Sequence, residues 1–262
     1  MPDLIFTSQS ARALFAENDL DTFAAIWSLQ LPWFEPPNYR REGWSGVCRT
    51  VLRSGSVETP VFVKRQENHN YKSPLHPVTG RPTLCREFGY VQVFKSKGLS
   101  TYDVMVYGEE IIDGKLCAVM VTRALDDHVT LDDWIDSDQA QEPVTREAMV
   151  TAVARAVRRL HDSGLQHGCL YSKHIMVRCL DVGADIRFID LEKVRSSFLR
   201  LTVPLQDLDQ FFRHMEGNWR ASDSETFITS YRGTQPTQGF CRRLRKRLRR
   251  KEPEKSYLLD FP

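Results

Sequence analysis

The hydrophobic period changes once along this chain, and that change limits the folds open to it. Before residue 123, apolar side chains recur mainly at every second position. Val47 to Leu52 and Val61 to Lys64 read as strands around a turn at Arg53-Ser54-Gly55-Ser56. Asp103 to Glu109 and Leu116 to Thr122 read as a second pair around Asp113-Gly114, a dipeptide suited to a tight hairpin. One helix interrupts them: Thr83 to Lys97 places Leu84, Phe88, Val91 and Phe94 near helical spacing, with Gly98 as a stop. Beyond residue 131 the helical period dominates. Met149, Val153, Ala156, Val157 and Leu160 share one face, after Pro143 and Thr145 and before Gly164. Ile175 to Arg178 with Asp185 to Ile189 reads as a short buried hairpin, and Asp207 to Met215 starts another helix. This order predicts an α+β chain in two lobes, strand-rich then mainly helical, with a boundary near Arg123 to Leu131.

The segments outside that pattern complete the organisation. Residues 1–40 read as an N-terminal helical extension, with helical patterns at Ser10 to Glu17 and Asp21 to Leu29, ended by Pro32 and then Pro36-Pro37. Residues 41–125 form the first lobe, 126–239 the second, and 240–262 a basic tail. Within the first lobe, ENHNYKSPLHPVTGRP (67–82) carries three prolines and a glycine, which predict a loop without regular structure.

Composition matters at three points. A formal net charge of +2 over 262 residues argues against a chain basic throughout, so an anionic partner must meet a local patch. Six scattered cysteines without a CxxC pair fit reduced thiols better than a disulfide framework. No basic start with an apolar run and no membrane-length apolar stretch is visible. The expectation is a cytoplasmic protein.

Several residues carry candidate chemistry. Gly43 and Gly46, in REGWSGVCR, lie where one strand turns into the next; backbone N–H groups there can approach an anion, although two such glycines also suit an ordinary turn. Lys64 ends the strand VFVK and can present a fixed charge to phosphate oxygens; a surface lysine is the competing reading. Glu87, on the following helix, is the acid that would hold it. Further on, LQHGCLYSKHIMV (165–177) follows a helix, with His167 and His174 seven residues apart. Asp190 then leaves an apolar strand as FID, where a carboxylate can hold a metal ion that bridges phosphates, or can simply cap a turn. Asp207 follows at a distance suited to anchoring the loop backbone.

HGCLYSKHIMV, FIDLEK, VKRQENH and REGWSGV together resemble the Kdo/WaaP lipopolysaccharide kinases, in particular their InaA-like branch. The likeness to the protein-kinase-like fold covers roughly residues 40 to 215. It implies a bilobal fold with an ATP-binding cleft, and phosphoryl transfer to a sugar hydroxyl of the lipopolysaccharide inner core. It also implies ATP with Mg²⁺, Mn²⁺ being the alternative.

The departures from the general kinase loop, H-R-D-x-x-x-x-N, are specific. Gly168 stands at the arginine, Cys169 at the catalytic aspartate and His174 at the asparagine. Cys169 would need positive charge from Lys173 or a protonated His167 to act as a base; a buried structural thiol is the alternative, and with it a pseudokinase that binds nucleotide without efficient turnover. His174 is a softer ligand than Mg²⁺ prefers; binding a phosphate by hydrogen bond, ligating Mn²⁺ and merely packing are its three readings. Glu192, in DLE, offers a further carboxylate, or is a surface glutamate paired with a neighbouring basic residue. In the tail, FCRRLRKRLRRK (240–251) holds eight basic residues around Phe240, Leu244 and Leu248. A cationic helix with a narrow apolar stripe predicts contact with an anionic membrane surface, peripheral on the cytoplasmic face of the inner membrane. Nucleic acid and plain solvent are the competing partners.

Overall fold

A computed structural model of the chain describes residues 4–40, 43–73, 76–196, 203–215, 217–233 and 238–260. Residues 41–42 of REGWSGV, 74–75 of the expected loop and 261–262 of the tail therefore lie outside the described residues. The chain divides into a first unit, Met1–Val93 with Tyr102–Asp126, and a second, Phe94–Thr101 with Asp127–Pro262.

In the first unit the elements run β1 (Ile5–Phe6), α1 (Gln9–Glu17), α2 (Phe23–Trp27), β2 (Trp33–Arg40), β3 (Gly43–Ser54), β4 (Val57–Glu67), β5 (Asn70–Ser73), β6 (His76–Pro82), α3 (Thr83–Ser96), β7 (Val104–Ile112) and β8 (Lys115–Arg123). Six strands form one antiparallel sheet in the order β1-β7-β8-β4-β3-β2. Alternation decides its faces. Val61 and Val63 of β4, with Val106 and Val119, pack against Phe15, Phe23 and Ile26 of α1 and α2. Lys64, one step along the strand, points to the other face. The expected hairpin turn is present, with Asp113 and Gly114 both at positive φ, as a tight turn requires.

Two expectations fail here. Residues 70–73 and 76–82 are a paired hairpin, β5 with β6, rather than an irregular loop. Pro36 and Pro37, read as ending the N-terminal segment, lie inside β2. That strand is at the sheet edge, and its register with β3 shifts between Glu35 and Asn38. Proline is tolerated at such edges because a missing N–H breaks no interior ladder.

The second unit contains β9 (Val129–Thr130), α4 (Leu131–Ile135), α5 (Pro143–Asp162), β10 (Leu165–Gln166), β11 (Ile175–Cys179), β12 (Ala184–Phe188), β13 (Arg195–Ser196), α6 (Val203–Arg213), α7 (Ala221–Arg232) and α8 (Gln238–Lys251). The Glu142 carboxylate accepts from the Val144 and Thr145 amides at the start of α5, and Pro143 occupies its first turn. The α5 face bearing Met149, Val153, Val157 and Leu160 is buried, and α5 packs on α7. Phe211 and Phe212 of α6 and Phe227 of α7 are fully buried, with Phe211 and Phe227 stacked at 4.7 Å.

The basic helix α8 also packs within this unit. Leu244 and Leu248 are fully buried, and α8 contacts α6 and the turns at Pro253–Leu259. Phe240 lies under the Arg232 guanidinium, 5.0 Å from it. The apolar stripe is thus spent on the protein's own core, which leaves only the cationic face, including Arg242, Arg243, Lys246, Arg249 and Arg250, exposed.

Candidate functional site

In the first unit, β4 and α3 bring Lys64 and Glu87 together. Lys64 Nζ lies 2.6 Å from Glu87 Oε1, and the Tyr102 hydroxyl donates to the same oxygen at 2.5 Å. Glu87 is only 4% exposed. A carboxylate that buried persists because it is paired and hydrogen-bonded, so the lysine is held in one position. The Tyr102 ring centroid lies 5.3 Å from the ammonium.

Gly43 and Gly46 have a packing reason to be glycine. A Cβ on Gly43 would meet the Glu67 carbonyl oxygen at 2.5 Å, and one on Gly46 would meet the Trp33 indole at 2.6 Å. Their missing side chains make room for the chain's own backbone and ring.

In the second unit the site is built on the loop between β10 and β11. Asp207, fully buried on α6, accepts from the backbone amides of His167 at 2.7 Å and Gly168 at 3.0 Å. Its second neighbour is His161 of α5, whose Nε2 lies 3.1 Å away and whose Nδ1 meets the Tyr231 hydroxyl at 2.8 Å. A carboxylate only accepts, so His161 donates through Nε2 and receives the tyrosine proton at Nδ1. Burial alone would raise the Asp207 pKa. Hydrogen bonds from His161 and from the His167 amide, with the favourable electrostatics of the two imidazole rings, outweigh it and hold the carboxyl below its ordinary range.

His167 does not supply the positive charge expected of it. Burial pushes its pKa down to about 4, so the ring is neutral near pH 7. Its Nε2 donates to the Ile189 carbonyl at 3.2 Å. Lys173 is exposed on the single turn Ser172–His174. The cation whose electrostatics are linked to Cys169 is Lys193. Burial pulls the Lys193 ammonium down, but Cys169, Glu192 and Asp190 more than offset this and leave its pKa above the ordinary lysine value. Burial together with the nearby Cys169 sulfur raises the Tyr171 phenol's pKa. Cys169 itself is 3% exposed. Lys193 was within reach of sequence reasoning: it is the last residue of FIDLEK, three after Asp190, where attention to acidic metal ligands passes over a base.

His174 and Asp190 come together. His174 Nδ1 bonds the Cys169 carbonyl at 2.9 Å, and Nε2 lies 3.4 Å from Asp190 Oδ2. Asp190 adopts φ 60° and ψ 59°, left-handed backbone that costs a non-glycine residue energy and recurs at functional sites. Since Nδ1 must donate to a carbonyl, a neutral His174 turns the Nε2 lone pair toward a carboxylate oxygen. Two facing lone pairs need a proton or a metal ion between them. Glu192 is drawn instead toward Lys193, at 3.7 Å. Among the described residues no group of three or more His, Cys, Asp or Glu side chains is arranged to hold a metal. One nitrogen and one carboxylate nonetheless suit an ion whose remaining ligands are phosphate oxygens and water.

A family model described as the lipopolysaccharide kinase (Kdo/WaaP) family matches residues 24–231. The chain belongs to the Kdo/WaaP family. Among curated relatives of this Kdo/WaaP protein is Protein InaA of Escherichia coli (strain K12), 34% identical over 200 residues that cover 75% of this chain and 89% of that protein. A solved structure titled "WaaP in complex with acyl carrier protein" superposes with a TM-score of 0.62 at 21% identity, covering 98% of this chain and 96% of the other. That structural likeness concerns the fold, and the fold it supports is α+β and kinase-like. Membership of the Kdo/WaaP family supports a kinase-like function, which in general uses ATP and a divalent metal.

Proposed function

We propose that the protein is an ATP-dependent phosphotransferase that phosphorylates a sugar hydroxyl of the lipopolysaccharide inner core. The observation carrying this reading is the Lys64–Glu87 pair at 2.6 Å, on a chain of this family. In the proposal, Lys64 contacts phosphate oxygens, and the backbone around Gly43 and Gly46 covers them. Asp190 and His174 hold the divalent ion, Mg²⁺ or Mn²⁺, which neutralises phosphate charge when bound; Glu192 lies two residues further on as an outer acid. Cys169 and Lys193 face the acceptor. In the proposal Cys169 stands where the general kinase loop has its aspartate, and Lys193 contributes positive charge near the acceptor. Neutral His167 ties the loop to the Ile189 carbonyl, and Lys173, being exposed, is left to contact an anionic acceptor.

A positioned general base contributes roughly 10² to 10⁴ in rate, while the loose phosphoryl transition state depends mostly on positioning and charge. The proposed enzyme is therefore slow rather than inert. Transfer of labelled phosphate from ATP to purified core acceptor tests this, and no transfer under conditions where an aspartate-bearing relative works rejects it. The second reading is a nucleotide-binding pseudokinase. It is favoured by the burial of Cys169. Detectable transfer that vanishes in Cys169→Ala excludes it.

Attachment to an anionic membrane surface belongs to the same proposal. Among the described residues no helix is long and apolar enough to cross a membrane. With Leu244 and Leu248 buried, α8 would attach through its arginines alone, which makes binding salt-sensitive. RNA that competed equally with anionic vesicles would reject the membrane assignment.

A further inference from the structure

A second site lies on the helix-covered face of the first unit's sheet, where nothing in the phosphotransfer reading places one. Arg65 follows Lys64 on β4 and so points the opposite way. It is 7% exposed. Its guanidinium donates to the Trp27 and Leu29 carbonyls at 2.7 and 2.8 Å and to the Cys48 sulfur at 3.4 Å. Its Nε is buried without a hydrogen-bond partner, and among the described residues no carboxylate lies within ion-pair distance of Arg65. A buried cation without an anion is costly and normally signals a missing partner.

That guanidinium lines a cavity of about 350 Å³, within the range of small-molecule sites. The other walls include Trp27, Trp33, Trp44, Gln30 and Glu67. The indoles converge, with centroids 5.6 Å apart for Trp27–Trp44 and 5.7 Å for Trp33–Trp44, the latter pair edge to face. Trp33 is seated on Gly46, which has no side chain to displace it, and Arg65 stacks 5.0 Å from its ring. Glu67 is drawn to Lys115 at 2.8 Å, so its carboxylate does not neutralise Arg65 at contact distance.

Three indoles alone would suit a quaternary ammonium group, but the Arg65 charge repels a cation. Electron-rich ring faces fit the polarised C–H face of a pyranose, while Gln30 and Glu67 offer polar groups to its hydroxyls. The charge calls for an anion. We infer that this cavity binds a pyranose sugar carrying an anionic substituent, which bonds Arg65 while the sugar ring packs in the corner formed by the Trp33 and Trp44 indoles. The site acts as a sugar-recognition subsite separate from Lys64, and its existence does not rest on phosphotransfer.

Titration of the full chain by tryptophan fluorescence tests the site with D-glucuronate, D-glucose 6-phosphate, D-glucose, inorganic phosphate and choline. The expected result is saturable change with the two acidic sugars, the tighter one identifying the substituent. Glucose and inorganic phosphate should each bind at least about tenfold more weakly, and choline should not bind, since ring and charge act together. Trp33→Ala, at a residue 38% exposed, should weaken the acidic sugar about tenfold with the thermal midpoint retained. Arg65→Lys, read the same way, checks the charge without removing it. Inorganic phosphate binding as tightly as the sugars, equal binding of glucose, or indifference to Trp33→Ala would each overturn the inference.

Discussion

Gly168 and Lys193 interlock backbone to backbone. Gly168 has φ +79°, and a Cβ there would meet the Lys193 carbonyl oxygen at 2.5 Å. The contact ties the loop carrying Cys169 to the turn after Asp190, and it explains why a glycine stands where the general kinase loop has arginine. Gly168→Ala should cost about 1 to 3 kcal/mol from the left-handed backbone alone. It should also displace Lys193 relative to Cys169. Urea unfolding reads the first effect, and loss of transfer beyond the stability change reads the second.

His167 makes stability depend on pH in a defined window. The unfolded imidazole takes a proton below about 6.5, whereas the folded one resists until about 4. Stability from this group is therefore complete above pH 6.5 and is lost as pH falls toward 4, by about 3 kcal/mol in all. His167→Gln keeps a donor toward the Ile189 carbonyl and cannot titrate. Its stability profile between pH 6.5 and 4 should be flatter than that of the wild type. Parallel profiles would show that the ring is not buried neutral.

The Lys64–Glu87 pair should be worth more together than apart. Lys64→Met leaves a buried carboxylate with Tyr102 as its remaining named donor, and Glu87→Gln replaces the charge that faces the lysine with a neutral amide. Each single change should weaken nucleotide binding by about 2 kcal/mol or more, and the double change should cost less than their sum. Calorimetric titration with ATP completes the cycle.

Lys193→Met should lower kcat about 10²-fold, with KM for ATP nearly unchanged, because its charge acts near the acceptor rather than on the nucleotide. Lys193→Arg should recover part of the loss. A change confined to KM would place Lys193 on the phosphates instead.

The parts of the fold and site that could be read from the sequence were those set by local pattern. Alternation marked β4 and β8, and the Asp113-Gly114 turn followed from backbone preference. The helical face of α5 followed from spacing, as did the anchoring by Asp207, which bonds the His167 and Gly168 amides; the Lys64–Glu87 pair depended on the order of the whole set of residues rather than on spacing. What stayed hidden depended on surroundings. Prolines exclude a strand only if it is central, and neither β2 nor the isolated β5–β6 pair is central. The neutrality of His167 comes from burial, which spacing does not express. The approach of the Lys193 backbone to Gly168 accompanies the pairing of β10 with β13, which joins segments distant in sequence. The stripe of α8 could equally meet lipid or core, and only packing against α6 decides for core.

ATP binding with and without divalent ion, in wild type and Asp190→Ala, tests the central claim most directly. The account predicts that binding depends on Mg²⁺ or Mn²⁺ and that Asp190→Ala weakens it at least about tenfold, as expected when the carboxylate holding the ion is removed. Affinity that is the same without the ion, or unchanged by Asp190→Ala, would contradict it.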